Sequence, residues 1–359
     1  MTALVIAGGG LAGAAAACEL AQSGRRVVVL ERSQGPTDKI CGDFLSAEAQ
    51  HYVRRLGLDP HGMGGHSISR VRVIRGQRQA ESRLPFTAIG LSRRVLDEAL
   101  LRHAEASGAE IRRGVTIARH DPGIHFLATG KHDLRGAARK PRTEPEDLVG
   151  FKLYLRLSVE AQRDLAGTVE IILFAQGYAG LQLVEGETAN LCLLIRRDHL
   201  ASVGGTWPAL LAALIAEQPH LRARLHNAQS LLPRPLSIAR VPYGFIHTPT
   251  DQDTMFRLGD QACVIPSFTG DGMSMALHSA ALAVQHHLAG QSPAAYHRRL
   301  AADVTRPISR ATTLYRLGRT PFGQALLIRA LQAWPGLLHR TAAATRVPQP
   351  AWLRTQVQE

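Results

Sequence analysis

Residues 3–31 of the chain read ALVIAGGGLAGAAAACELAQSGRRVVVLE. A short apolar run comes first, glycines follow, and an alanine-rich stretch then continues to Gly24, a residue type that commonly ends a helix. The β-branched run Val27–Leu30 is typical of a strand that is buried in a parallel sheet. The order of these segments predicts a strand, a tight turn, a helix and a second, parallel strand.

The predicted turn carries the pattern G-x-G-x-x-G at Gly8, Gly10 and Gly13. The first glycine permits the tight turn, the second lets the backbone approach a pyrophosphate, and the third lets helix and strand pack closely. The N-terminus of the helix then faces the phosphates. Glu31 follows at the end of the second strand, where its carboxylate can accept hydrogen bonds from a ribose hydroxyl. These features predict a dinucleotide site, but they do not distinguish NAD from FAD.

A second segment, residues 258–273, distinguishes the two cofactors. It reads LGDQACVIPSFTGDGM and resembles the pattern G-D-A-x-x-x-x-P-x-x-G-x-G of the flavoprotein aromatic hydroxylases, the family of p-hydroxybenzoate hydroxylase. The resemblance implies that Asp260 binds the ribityl chain of FAD and that Pro266 borders the flavin ring. It also implies that backbone N–H groups at Gly270, Gly272 and Met273 face the isoalloxazine, where a helix N-terminus stabilises negative charge on the reduced flavin.

Two shorter segments resemble the same superfamily. Ser92–Asp97 resembles the motif R-x-x-L-D, which implies that Arg93 reaches the FAD pyrophosphate; the alternative is a surface arginine in an ordinary helix turn. Asp38–Phe44 resembles the Lys-x-Cys-Gly segment of the geranylgeranyl reductases, which implies that Cys41 lies near the flavin. The alternative is a buried thiol without a chemical role.

The predicted site therefore consists mainly of cofactor contacts. The residues expected to contact FAD are Gly8, Gly10, Leu11, Ala12, Gly13, Glu31, Arg32, Cys41, Arg93, Gly259, Asp260, Pro266, Gly270, Gly272 and Met273. The pattern identifies no catalytic residue; Cys41 and Tyr243 are the candidates, His66 is a second possible base, and no metal site is expected. Tyr178, Gly180 and Leu181 are expected to line the substrate pocket together with Tyr243. One departure from the hydroxylases is Thr129, which replaces the aspartate of their A-D-G motif.

The rest of the chain contains further helix and strand patterns. The periodicity predicts a strand within Ser67–Ala80, an amphipathic helix over Val95–Ser107, an antiparallel sheet over Leu148–Arg196, a helix over Trp207–Leu225 and basic helices over Pro293–Thr345. With the resemblance, these elements predict an α/β fold. A Rossmann-like FAD domain of the glutathione-reductase type is interleaved with a mostly antiparallel substrate domain and followed by a C-terminal helical segment.

The predicted division of the chain follows from this order. The FAD-binding domain comprises 1–65, 92–147 and 250–292, the substrate domain 66–91 and 148–249, and the C-terminal helical segment 293–359.

Composition limits the partners and the compartment. The 359 residues include 42 Lys and Arg against 29 Asp and Glu, a net charge of +13, and 45% are hydrophobic, as in a globular protein. The four cysteines form no C-x-x-C, and no basic residue precedes the uncharged run 2–18, so we expect reduced thiols, no signal peptide and a cytoplasmic protein. Without zinc-finger spacing or an aromatic RNA-binding motif, we expect no nucleic-acid partner. An acidic carrier protein or an anionic membrane surface could use the positive charge, and the chain is expected to be a monomer or homodimer.

The resemblance implies an FAD-dependent oxidoreductase with NAD(P)H as electron donor. Three functions remain open. The first is a monooxygenase that hydroxylates an aromatic, polyketide or similar apolar substrate; the second is an ene-reductase of prenyl chains; the third is a flavoenzyme that modifies a carrier-bound or protein-bound substrate. Halogenation is disfavoured because the W-x-W-x-I-P motif of flavin-dependent halogenases is missing, and a disulfide reductase because there is no second G-x-G-x-x-G.

Overall fold

Two β-sheets organise the part of the chain that the computed structural model describes, residues 2–141 and 147–353. The strands are β1 (Leu4–Ala7), β2 (Val27–Glu31), β3 (Phe44–Leu45), β4 (His66–Arg75), β5 (Arg78–Gly90), β6 (Glu110–Arg113), β7 (Ile124–Leu127), β8 (Leu148–Arg156), β9 (Thr168–Phe174), β10 (Gly177–Leu183), β11 (Ala189–Arg196), β12 (Gln229–Ser230), β13 (Leu236–Ala239) and β14 (Phe256–Arg257).

Helices cover one sheet and follow the other. They are α1 (Leu11–Gln22), α2 (Ala47–Arg55), α3 (Arg93–Ala106), α4 (Val159–Leu165), α5 (Arg197–Ser202), α6 (Trp207–Glu217), α7 (Pro219–Leu225), α8 (Gly272–Leu288), α9 (Pro293–Gly318), α10 (Pro321–Ala333) and α11 (Gly336–Ala344).

The first sheet is parallel, with the strand order β14-β7-β1-β2-β6. Its centre is the predicted strand–helix–strand unit, in which Leu4 lies opposite Val27. The alanines of α1 are buried, and the helix packs against α3 and α8. Small side chains allow this close packing because they let the backbones approach one another. The Rossmann-like part of the predicted fold is therefore present.

The second sheet has the order β12-β8-β11-β10-β9-β4-β5-β3, and β13 also pairs with β8. All its pairs are antiparallel except β4 with β9. It confirms the mostly antiparallel sheet that the sequence predicts. Alternate side chains of β8 to β11 build a second hydrophobic core with α4, α6 and α7.

Three predicted elements differ from the structure. The single strand within Ser67–Ala80 is wrong, because β4 and β5 form a hairpin that turns at Gly76, whose φ of +59° favours glycine. The helix over Trp207–Leu225 is two helices, since Pro219 lacks the N–H needed to continue the first helix and begins the second. The helix expected from Met275 begins at Gly272.

The predicted division into domains stays a prediction, but one contact bears on its boundary. Strand β3 lies within the first segment assigned to the FAD domain, 1–65, yet it pairs with β5 in the second sheet. The two sheets are therefore tied together at this loop.

A buried ion-pair cluster stabilises the second sheet. Glu170 on β9 is fully buried, and its carboxylate binds Arg72 (2.8 Å), Arg224 (2.6 Å) and His220 (2.8 Å). Burial alone would raise the pKa of Glu170, but hydrogen bonds from His220 and Arg224 lower it to about 2. The cluster joins β4, β9 and α7 across a point where the sheet changes to parallel pairing.

This cluster predicts acid sensitivity. Because the pKa of Glu170 falls from 4.5 when unfolded to about 2 when folded, its stabilising effect is complete above about pH 4.5 and is lost as the pH falls towards 2. We expect Glu170→Gln to lower the free energy of unfolding at neutral pH by about 3 kcal/mol, since it leaves buried cations unpaired. Urea denaturation at neutral and acidic pH measures this, and the difference should shrink in acid.

The matched control is Glu160→Gln, which neutralises an exposed carboxylate on α4. It should leave the free energy of unfolding unchanged within about 0.5 kcal/mol. Equal losses in the two variants would contradict the role given to Glu170.

Candidate active site

A cavity of about 660 Å³ is lined by residues of both sheets and by α11. Of the residues predicted to contact FAD, all except Gly13 and Pro266 line it: Gly8, Gly10, Leu11, Ala12, Glu31, Arg32, Cys41, Arg93, Gly259, Asp260, Gly270, Gly272 and Met273. Segments that lie far apart in the sequence thus meet at one cavity, although their contacts with a cofactor stay predictions.

The glycine turn between β1 and α1 shows why these residue types are needed. A Cβ on Gly13 would lie 1.9 Å from the carbonyl oxygen of Gly8, so no side chain fits there. Gly8 has a φ of +102°, and its Cβ would lie 2.5 Å from the carbonyl oxygen of Ala128. Gly10 is different: the nearest atom to its Cβ is Nη2 of Arg93 at 3.6 Å. Gly8 and Gly13 serve packing, whereas Gly10 leaves the backbone open to the cavity.

Glu31 is held rigidly at the edge of the cavity. Its two carboxylate oxygens accept hydrogen bonds from the backbone N–H groups of Gly9 and Ser33, both at 2.8 Å. Burial opposes the charged form, but these hydrogen bonds dominate and lower the pKa of Glu31. A carboxylate has about four acceptor positions, so the two bonds leave capacity for ribose hydroxyls. The geometry fits the predicted role.

Cationic side chains surround this end of the cavity. Arg93 lines it and is held by Asp97, to which its Nε and Nη2 donate at 2.6 and 2.8 Å. Burial opposes the charge of Arg93, yet the neighbouring Asp97 raises its pKa. Arg32, Lys39 and Lys131 line the same cavity. Together with the N-terminus of α1, they suit a pyrophosphate.

A buried polar network, which the sequence analysis missed, supports the Cys41 loop. Asp43 is completely buried with a φ of +56°, and its Oδ2 accepts from Lys152 (2.5 Å), Tyr154 (2.7 Å) and Asn190 (3.0 Å). Asn190 also donates to the carbonyl of Cys41 at 3.0 Å. The signal in the sequence was a lysine within the apolar run of β8. The network holds Cys41 against the cavity.

A cluster of three hydroxyl groups lies on the opposite side. Tyr178 of β10 and Tyr243 both bind Ser267, which follows Pro266; the Tyr243–Ser267 distance is 2.5 Å and the two phenol oxygens are 3.3 Å apart. All three residues line the cavity. Burial raises the pKa of both tyrosines, so they are neutral donors at physiological pH. Tyr243 is therefore suited to donating a hydrogen bond and not to acting as a base.

The other expected pocket residues divide between the two faces of the sheet. Gly180 lines the cavity, but its neighbour Leu181 does not, because alternate residues of β10 point to opposite faces and Leu181 lies in the second core. His66 does not line the cavity either, and its ring nitrogen lies 3.0 Å from the carbonyl of Gly186. The expectations for Leu181 and His66 are therefore wrong.

The C-terminal segment also reaches the cavity, which the sequence analysis did not foresee. Arg346 lines it and binds Asp271 (3.0 Å) and Glu48 (2.7 Å), both buried. Asp271 lies between Gly270 and Gly272 in the predicted flavin loop, and burial raises its pKa to about 7, although Arg346 opposes the shift. Thr345 adds a hydrogen bond to Asp271 at 3.3 Å. The flavin loop is thus anchored from behind.

Comparison with known proteins agrees with this geometry. Residues 1–125 match the family described as the FAD binding domain. The chain belongs to the superfamily of FAD-dependent oxidoreductases. In the part of the chain that the structure describes, no helix is long and apolar enough to cross a membrane.

The curated relatives match only short segments. Menaquinone reductase of Mycolicibacterium smegmatis is 47% identical over 55 residues, which is 15% of this chain and 13% of that protein. Menaquinone reductase of Mycobacterium tuberculosis is 31% identical over 123 residues, which is 33% of this chain and 30% of that protein. Less than a third of either relative is therefore matched.

Solved structures match along most of the chain. The flavin-dependent brominase Bmp2 has a TM-score of 0.77 at 19% identity, covering 98% of this chain and 96% of that one. A variant of PqsL from P. aeruginosa has a TM-score of 0.66 at 15% identity, covering 90% and 98%. At these identities the similarity demonstrates the shared fold.

The open face of Gly10 gives a sharp test of the cofactor site. In Gly10→Ala the new Cβ meets no protein atom closer than 3.6 Å, and the φ of −72° suits alanine, so the fold should survive. The methyl group would still occupy the surface where a pyrophosphate has to approach. We expect the affinity for FAD to fall at least about tenfold with an unchanged melting temperature of the apoprotein.

Titration of the apoprotein with FAD, followed by flavin fluorescence, measures this effect. Gly35→Ala is the control, because its Cβ meets nothing within 4 Å and Gly35 does not line the cavity. Unaltered FAD affinity in Gly10→Ala would show that the cofactor does not pass over this turn.

Proposed function

We propose that the protein is an NAD(P)H-dependent FAD monooxygenase that hydroxylates a largely apolar substrate with a phenolic oxygen. The observation that carries the proposal is the hydroxyl cluster of Tyr178, Tyr243 and Ser267. It places three groups able to bind one substrate oxygen beside the loop that resembles the flavin-binding pattern of the aromatic hydroxylases. The choice of NAD(P)H rests on the same resemblance.

The two ends of the cavity have different chemistry. In the described part of the chain, the strands β4, β5 and β8 to β11 contribute no charged side chain to the cavity. They contribute apolar groups, among them Val71, Leu84, Val169 and Ile171. Charged groups concentrate at the end with Glu31 and Arg93. This distribution supports a cofactor with phosphates at one end and an apolar substrate at the other.

The residues of the chain would bind, orient and exclude water. Bound FAD supplies the redox chemistry between NAD(P)H, O₂ and the substrate. Tyr178 and Tyr243, kept neutral by burial, would donate hydrogen bonds to the substrate oxygen and hold the ring in one orientation. The apolar strands would keep water from the reacting atoms. Glu31 and the N-termini of α1 and α8 would fix the cofactor at the other end.

A specific observation favours a second candidate, the reduction of a double bond in a prenylated substrate. Cys41 lines the cavity within the segment that resembles the geranylgeranyl reductases, and two of the curated relatives are named menaquinone reductase. The hydroxyl cluster can also bind the ring oxygen of such a substrate. The two candidates differ in their need for O₂.

Turnover under isotopically labelled O₂ separates the candidates. The FAD-loaded protein is given NADPH and either an alkylphenol or a prenylated naphthoquinone, aerobically and anaerobically, and products are analysed by mass spectrometry. A labelled oxygen atom in the phenol product supports the monooxygenase. Anaerobic gain of two hydrogen atoms in the prenyl chain supports the reductase. Absence of any substrate-dependent NADPH oxidation would contradict both.

The hydroxyl cluster predicts a defect in substrate binding. We expect Tyr178→Phe with Tyr243→Phe to raise KM for the phenol about tenfold, since each lost hydrogen bond is worth about 0.5–1.5 kcal/mol. FAD content should not change, because neither hydroxyl lies at the cationic end.

Steady-state kinetics and the flavin-to-protein ratio measure the two effects. The control is Tyr52→Phe, which removes a buried hydroxyl bonded to His278, outside the cavity lining. An unchanged KM in the double variant would remove the cluster from the substrate site.

A further inference from the structure

The C-terminal helices carry an unusual concentration of exposed apolar side chains. Among the described residues, five of the nine large hydrophobic side chains that are exposed fall between positions 317 and 337. They are Leu317 (44% exposed), Phe322 (79%), Leu326 (51%), Trp334 (70%) and Leu337 (37%). Single exposed apolar residues are common in monomeric proteins, but a cluster of this kind marks an interaction surface.

The orientation of α10 explains why this surface is uncovered. Ile328 and Leu331 are buried in a small core with Val73 and Ala80 of the second sheet. Phe322, Leu326 and Arg329 recur at intervals of four and three residues, so they occupy the opposite side of the helix. The helix therefore has two apolar sides, of which only one packs against the protein.

The charge of the same region is one-sided. Between Asp303 and Glu359 the sequence contains no aspartate or glutamate. Arg316, Arg329 and Arg340 are exposed among the apolar residues. Exposed apolar side chains with surrounding arginines are the combination that binds the boundary of an anionic bilayer, where each arginine near the surface contributes about 1 kcal/mol. Trp334 is of the residue type favoured at such a boundary.

The surface continues into the wall of the cavity. Leu337 is exposed on α11, whereas Leu338, Thr341 and Ala342 of the same helix line the cavity. One short helix thus separates the exposed apolar face from the place proposed for an apolar substrate. A substrate dissolved in a bilayer would have to cross only this helix.

We propose that the face formed by Leu317, Phe322, Leu326, Trp334 and Leu337 docks on the surface of an anionic lipid bilayer. The aromatic and leucine side chains enter the headgroup region and the arginines bind lipid phosphates. Delivery of substrate through α11 rests on the proposed function, but the docking itself does not.

Vesicle flotation of the full chain loaded with FAD tests the docking. Vesicles of phosphatidylcholine alone are compared with vesicles that also contain phosphatidylglycerol, without substrate or NADPH. We expect binding to the anionic vesicles, weakened when the salt is raised from about 0.05 to about 0.5 M because screening shortens the range of the arginine charges. Phe322→Ser with Trp334→Ser should lower the partition coefficient at least about tenfold.

Two further variants separate the contributions. Arg316→Ser with Arg329→Ser and Arg340→Ser should abolish the preference for anionic vesicles. Val159→Ser with Leu231→Ser removes exposed apolar side chains outside these helices (63% and 42% exposed) and should leave binding unchanged. FAD content and melting temperature show that each variant is folded.

The proposal is overturned if the wild-type chain does not bind anionic vesicles, or if the Val159/Leu231 variant loses as much binding as the Phe322/Trp334 variant. It is also overturned if the Phe322/Trp334 exchange converts a dimer into monomers while vesicle binding is absent, since the face would then be a contact between copies of the chain. Because the assay contains no substrate, its failure leaves the proposed reaction untouched, and failed turnover leaves the docking untouched.

Discussion

The ion pair between Asp43 and Lys152 joins the parts of the structure that create the cavity. Asp43 lies in the loop that leaves the parallel sheet, and Lys152 lies in the middle of β8 in the second sheet; neither is accessible to solvent. Removing two charges from water costs several kcal/mol per ion, which only close contact and further hydrogen bonds offset. Tyr154 and Asn190 supply those bonds, so the loop has one favourable position against the second sheet. The location of Cys41 beside the cavity follows from this constraint.

The cavity separates electrostatic work from apolar work. At one end, the charges of Glu31 and Arg93 are fixed by hydrogen bonds to the backbone and to Asp97, so they do not have to reorganise when a charged ligand arrives. At the other end the only polar groups that converge are the hydroxyls of Tyr178, Tyr243 and Ser267. Among the described lining residues, those of the second sheet are uncharged, which lowers the local dielectric and strengthens each hydrogen bond.

The sequence was informative where a local backbone requirement determines the residue. Gly8 and Gly13 could be predicted because a tight turn and close helix packing exclude every other side chain. Contacts that depend on tertiary structure could not be found in this way: Lys152 reaches Asp43, and Arg346 reaches Asp271, across long stretches of chain. Leu181 shows a related limit. Alternation identifies two faces of a strand but not which face meets the cavity.

The strand order of the parallel sheet has a consequence for biosynthesis. Strand β14 completes this sheet beside β7, but in the chain it follows every strand of the second sheet. The loop from Gly259 to Met273 emerges directly from β14, so its cradle cannot exist on a ribosome-bound chain until the second sheet has been made. Contacts between such distant segments form slowly because loop closure has to precede them. Cofactor capture would therefore be a late event, and a nascent chain short of β14 would expose the unpaired edge of β7 to aggregation.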